Sequence, residues 1–216
     1  MKALLLKGIA PVESRPLVLA DQPTPQPKGK EIRVKVSACG ICHTELDEIE
    51  GRLLPRRPII PGHEIVGRVD GLGSGVTKFK LGSRVGIAWI HSACGECRFC
   101  EEDNENLCPE FEGTGCQSDG GYAEYTLVSE DFAYPIPGRF TDAEAAPLLC
   151  AGAIGYRALR LSGVKAGQSL GLFGFGASAH IITQVARHLG SQVYVFTRGE
   201  EHRTLAKELG AAWTGR

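Results

Sequence analysis

Up to about residue 140 the apolar positions recur with period two, in short runs. Residues 32–36 (IRVKV) alternate apolar with basic, and 64–69, 84–87 and 122–128 are short β-branched stretches bounded by glycines. Successive side chains of a strand point to opposite faces, so this alternation predicts half-buried strands. Residues 1–9 (MKALLLKGI) fit a first strand, and 22–29 (QPTPQPKG) a proline-rich loop. Many short strands with Gly and Pro punctuation predict an irregular β-barrel. After residue 152 the period changes. Residues 169–173 form an apolar strand, followed by the glycine turn GFGASA. Ile181, Ile182, Val185, Ala186 and Leu189 then mark one helical face that stops at Gly190. A second strand over 193–196 and a second helix over 200–209, stopped by Gly210, complete a βαβ unit. The expected organisation is mixed β and α/β: a barrel over 1–152, then an α/β domain over 153–216.

That second domain is expected to be partial. A complete doubly wound sheet has about six strands, at about thirty residues per step. The 48 residues after Gln168 leave room for two. A chain that ends early is the expectation.

Composition narrows the partners. With 24 Lys plus Arg against 25 Asp plus Glu, the formal charge is −1. Neither nucleic acid nor an anionic membrane is expected to bind. The four-residue apolar run before Lys7 is too short for a secretory leader. The longest apolar stretch, 143–156, contains Glu144 and Pro147 and is too short to span a bilayer. A reducing, cytoplasmic compartment is expected, where cysteines bind metal rather than pair.

Four of the eight cysteines fall within fifteen positions, as Cys94, Cys97, Cys100 and Cys108. C-x2-C-x2-C-x7-C brings four thiolates within reach of one ion, the pattern of a closed tetrahedral zinc site. The lobe over 91–110 is therefore expected to hold a structural zinc. In the α/β domain, Gly174-Phe-Gly176-Ala177-Ser-Ala179 matches G-x-G-x-x-A between a strand and a helix, a turn that lets backbone approach a pyrophosphate. A carboxylate for the ribose is expected about twenty residues on. The second strand instead ends Phe196-Thr197-Arg198, with His202 and Arg203 nearby. Arg198 could pair with a 2′-phosphate, which favours NADP over NAD; a solvated loop arginine is the plainer reading.

Three further segments are Cys39-Gly-Ile-Cys42-His43-Thr44-Glu45, Pro61-Gly-His63-Glu64 and Leu149-Cys150-Ala-Gly152. With the four-cysteine lobe and the glycine turn, in this order from residue 1 to 216, they resemble the zinc-dependent alcohol dehydrogenases of the medium-chain dehydrogenase/reductase family. The resemblance implies a GroES-like catalytic barrel and a Rossmann domain. It implies catalytic zinc ligands Cys42, His63 and Cys150, hence two zinc ions per chain, and NADP or NAD as cofactor. It further implies that Thr44 handles the alcohol proton, Glu45 orients His63, and Glu64 lies beside the metal. His43 would face the cofactor pyrophosphate, and Trp89 would wall the substrate pocket. The family's relay histidine is replaced by Asp47, which leaves the proton exit to Asp47 or a water. Thr44 also suits an N-cap of a helix over 45–50. Cys39 and Cys116 suit small buried hydrophobes, and His180, His188 and His202 a helix surface. The implied activity is reversible hydride transfer between a small alcohol and an aldehyde or ketone, with assembly into a homo-oligomer left open. The alternative is a truncated zinc-binding fragment without catalysis.

Overall fold

A computed structural model describes all 216 residues. The backbone contacts divide the chain at Cys150/Ala151, two residues before the expected boundary. No helix is long and apolar enough to cross a membrane.

The first unit is built on a hairpin, β1 (Lys2–Leu6) with β2 (Leu17–Asp21), and a five-stranded antiparallel sheet. That sheet runs in the order β8 (Tyr125–Ser129), β3 (Glu31–Cys39), β4 (Ile65–Leu72), β5 (Arg84–Ile87), β9 (Ala133–Pro135). The apolar members of the alternating runs supply its core: Ile32, Val34, Ile65, Val69, Val85, Ile87 and Val128 are all buried. Truncating one such Ile to Ala costs about 2–5 kcal/mol. Isolated bridges Ala3↔Ala123 and Leu6↔Ile59 join the hairpin to the rest of the unit. Helix α1 (His43–Glu50) follows β3 and brings Glu45, Glu48 and Ile49 inward. A second hairpin, β6 (Ile90–Ser92) with β7 (Glu112–Gly113), flanks the cysteine lobe, which contains the single-turn α2 (Arg98–Glu101). Helix α3 (Asp142–Ala145) and a 3-10 turn (Ala146–Leu149) lead to Cys150.

The second unit opens on α4 (Ala151–Ser162), which was not expected as an element. Then come β10 (Ser169–Phe173), α5 (Ala177–His188), β11 (Gln192–Phe196), α6 (Glu200–Glu208) and β12 (Trp213–Gly215). The sheet is parallel, in the order β10-β11-β12. Three strands form rather than two, because three residues after α6 suffice to pair with Tyr194–Phe196. One sheet face is packed by Leu159, Phe175, Ile182, Ala186 and Ala206 against Val193 and Val195. On the other, Phe173 stacks on Phe196 at 4.6 Å.

Candidate metal centres and nucleotide turn

Three separate segments of the first unit deliver the inner cluster. β3 ends at Cys39, and the chain turns through Gly40 to put Cys42 at the N-cap of α1. Gly40 leaves room there for the Glu64 carboxylate, which a Cβ would displace. His63 and Glu64 precede β4, and Cys150 closes the 3-10 turn. The ligand atoms of Cys42, His63, Glu64 and Cys150 lie within 4.8 Å of one another. Cys42 Sγ and Cys150 Sγ are 3.8 Å apart. Zinc bonded to two sulfurs at about 2.3 Å in a tetrahedron sets them roughly 3.8 Å apart. The separation is far too long for a disulfide.

His63 is 1% exposed. Its Nδ1 lies 2.6 Å from Glu45 Oε1, and its Nε2 is buried with no hydrogen-bond partner. An orphaned buried nitrogen costs about 1–3 kcal/mol unless something else satisfies it. With two sulfurs beside it, a soft divalent cation fits. Glu45 also accepts from the Cys42 backbone N–H at 2.7 Å, so one carboxylate ties the histidine to the helix start. Thr44 is therefore inside α1 and not its cap, although its Oγ1 remains 3.6 Å from Cys42 Sγ.

The electrostatics follow from this crowding. The neighbouring Cys150 thiol and His63 pull Cys42 down to about 3, while the same contact pushes Cys150 up. Burial opposes protonation of His63, but Cys42 and Glu45 outweigh it and push it up to about 10. Burial raises Glu64. Trp89 meets the His63 ring edge-on at 5.1 Å, and Phe111 lies 6.2 Å beyond it, an aromatic neighbour the sequence reading missed. His43 is largely exposed, with Nε2 3.8 Å from Asp47 Oδ1. Asp47 is engaged by the Arg52 guanidinium, so its carboxylate is not free.

Sequence reasoning also missed Glu48. It is fully buried, one turn after Glu45, and neither carboxyl oxygen has a partner. Burial, then the Glu45 charge, raises it to about 8. Its only sequence signal is the i, i+3 spacing from Glu45. Cys116 is buried, as expected, and burial pushes its thiol up to about 11; Cys39 is half-buried, with its thiol pushed up to about 12.

The outer cluster comes from one segment. Cys94, Cys97, Cys100 and Cys108 also fall within 4.8 Å of one another, with Sγ separations of 3.6 to 3.9 Å. Backbone N–H groups of Cys94 and Glu110 donate to Cys108 Sγ. All donors are sulfur, which suits a closed tetrahedral zinc site.

In the second unit, Gly174 follows β10 at φ +90°, a left-handed conformation that favours glycine. Gly176 caps α5, Ala177 begins it, and Ala179 packs into the core beneath. The Gly174 N–H donates to Phe196 O, setting the turn beside Thr197 and Arg198.

Residues 28–138 match the family described as alcohol dehydrogenase GroES-like domain. The chain is 46% identical over 218 residues to a protein named as a probable alcohol dehydrogenase, AdhA, of Mycobacterium tuberculosis, covering 98% of this chain and 63% of that one. It is 41% identical to an alcohol dehydrogenase of Geobacillus stearothermophilus, covering 91% and 59%. Among solved structures, a cinnamyl alcohol dehydrogenase from Sorghum bicolor superposes with a TM-score of 0.90 at 31% identity, covering 100% of this chain and 63% of that one. An NAD-dependent alcohol dehydrogenase gives 0.91 at 29% identity, covering 99% and 63%. A GroES-like domain followed by a partial Rossmann domain is thus the fold. The chain belongs to the alcohol dehydrogenase family defined by that GroES-like domain. It spans about six-tenths of the length of the curated relatives it matches.

Proposed function

We propose that this chain carries the catalytic machinery of a zinc-dependent alcohol dehydrogenase, which interconverts a small alcohol with its aldehyde or ketone using NADP or NAD. One observation carries the reading: donors from three distant segments converge around a buried imidazole nitrogen that has no partner. Cys42, His63 and Cys150 would hold a catalytic zinc, and the four-sulfur lobe a structural one. A zinc ion there supplies Lewis acidity, polarising an alcohol or carbonyl oxygen.

The chain's own residues do the rest. Glu45 fixes the His63 ring through Nδ1 and so aims Nε2 at the two sulfurs. Glu64 stands within the donor set as an exchangeable fourth oxygen. The Thr44 hydroxyl, beside Cys42, takes the alcohol proton and passes it outward, with solvent rather than the Arg52-bound Asp47 as acceptor. Trp89, with Phe111 behind it, gives the substrate's carbon skeleton an apolar wall. In the second unit, Gly174, Gly176, Ala177 and Ala179 admit the pyrophosphate. The missing ribose carboxylate favours NADP. Free thiols in both clusters suit a reducing, cytoplasmic setting.

The test is a titration of zinc-loaded protein with NADPH or NADH, followed by alcohol-dependent turnover. Saturable cofactor fluorescence with turnover supports the reading. Two zinc ions with no cofactor binding would instead favour a non-catalytic zinc-binding fragment.

A further inference from the structure

Cys108, the last sulfur of the outer cluster, lies three residues before Phe111. It is buried, and it holds the chain that follows. The Glu110 N–H donates to Cys108 Sγ at 3.3 Å, and the Phe111 N–H donates to Cys108 O at 3.1 Å. Phe111 therefore leaves the lobe from a fixed start. Its ring lies 6.2 Å from that of Trp89, tilted by 34°. Trp89 in turn meets His63 at 5.1 Å and 80°. The backbone around Trp89 has separate support, because the Thr114 N–H donates to Trp89 O at 2.9 Å and Thr114 Oγ1 to Ala88 O at 2.8 Å. The indole also runs over Gly113, where a Cβ would come within 2.9 Å of its Cζ2. Strand neighbours thus hold the Trp89 backbone, whereas packing against Phe111, His63 and Gly113 places its ring. Cys108, Phe111, Trp89 and His63 all belong to the first unit.

We propose that Phe111 is a positioning residue through which the four-cysteine lobe sets the pose of Trp89, and with it the room left for the substrate's carbon skeleton. The inference rests on the reading of Trp89 as the substrate wall and assigns a selectivity role to the lobe. Binding an ion at a local cysteine site orders the segment that carries the donors. Here that segment runs directly into Phe111, so ordering it fixes the ring that backs Trp89. Each member of the series touches the next, which gives the coupling a continuous physical path. The lobe's part remains stabilisation, but what it stabilises extends to the inner centre. Without Phe111 behind it, the indole can swing about its two side-chain torsions and widen the pocket.

Fluorescence tests this without turnover, because Trp213→Phe leaves Trp89 as the only tryptophan. Adding Cys42→Ser removes an inner donor, so that zinc given to the metal-free chain fills the outer cluster. Acrylamide quenching of Trp89 is expected to fall about two- to tenfold as that zinc binds, the range an aromatic pair's energy allows, with circular dichroism unchanged. Phe111→Ala should abolish the response and Phe111→Tyr should keep it. No response with Phe111 present, or an equal one in Phe111→Ala, overturns the coupling. Should the metal-free chain unfold, zinc-loaded protein decides instead: Phe111→Ala should raise Trp89 quenching and Phe111→Tyr should not, and unchanged quenching overturns the proposal. Turnover adds the selectivity. Phe111→Ala should raise kcat/KM for benzyl alcohol relative to ethanol by a similar factor, with the inner metal retained. A Trp89 response without that shift overturns the selectivity role. No turnover of either alcohol by the parent chain overturns the dehydrogenase reading and that role with it, while the Trp89 response would stand on its own.

Discussion

The two cysteine clusters bring similar donors together by opposite means. The outer lobe draws four sulfurs from fifteen consecutive residues, braced by backbone N–H groups and a single helical turn. The inner cluster draws two sulfurs and one imidazole from segments up to 108 residues apart, and adds a buried carboxylate behind the histidine. The outer donors are all sulfur, the donor set a closed tetrahedral zinc site uses. The inner set has three strong donors, with Glu64 as a fourth of a different kind. A local, saturated set can only stabilise, whereas a long-range set of three depends on the barrel being folded and leaves chemistry open.

Substitutions sharpen that contrast, beginning with the largest effect. Cys42→Ser is expected to remove one of two metal ions per chain and lower turnover by about a thousandfold or more, since the ion's charge stabilisation contributes several kcal/mol. Circular dichroism should stay unchanged, because the barrel core is independent of that donor. Cys97→Ser should do the reverse. It should lose the other ion and lower local stability over 91–110 by about 3 kcal/mol or more, read as faster amide exchange, because structural-zinc binding energy is folding energy. Equal unfolding in both variants would erase the distinction.

Glu48 tests the burial that only the inner cluster has. Its folded pKa, about 8, lies above the ordinary carboxyl value of 4.5. Its contribution is fully present below pH 4.5 and is lost as pH rises through 8. Glu48→Gln, matched for metal content, should therefore be more stable than the parent at pH 8, by on the order of 2–4 kcal/mol, and little different at pH 4. A parent–variant difference that stays flat with pH would show that Glu48 has an ordinary pKa. Glu45→Gln should have the smallest effect. Zinc affinity at the inner cluster should fall about 10–100-fold with the lobe untouched, as read by competition with a chromogenic chelator.

Legibility from sequence follows the same division. The lobe can be read directly because its donors are neighbours and their spacing is the geometry. The strand alternation around Ile32, Val34 and Val128 likewise needs only local pattern. Cys150, in an apolar run, carries no local sign of a ligand; family order alone singles it out. Phe111 and Glu48 act through contacts made across the fold, so nothing nearby in sequence marks them. Thr44 reads as a helix cap by residue type, but the Glu45 carboxylate bonds the Cys42 N–H and starts the helix earlier. β12 is three residues long, too short for a period to show, and exists because β11 offers it an edge.

The most direct test replaces zinc with cobalt(II) and follows its visible absorption as azide is added. The account predicts a thiolate-bound cobalt spectrum in which one component shifts with azide. That shift should vanish in Cys150→Ser and persist in Cys97→Ser. A spectrum indifferent to azide, or one whose response survives Cys150→Ser, would contradict an open three-donor centre at Cys42, His63 and Cys150.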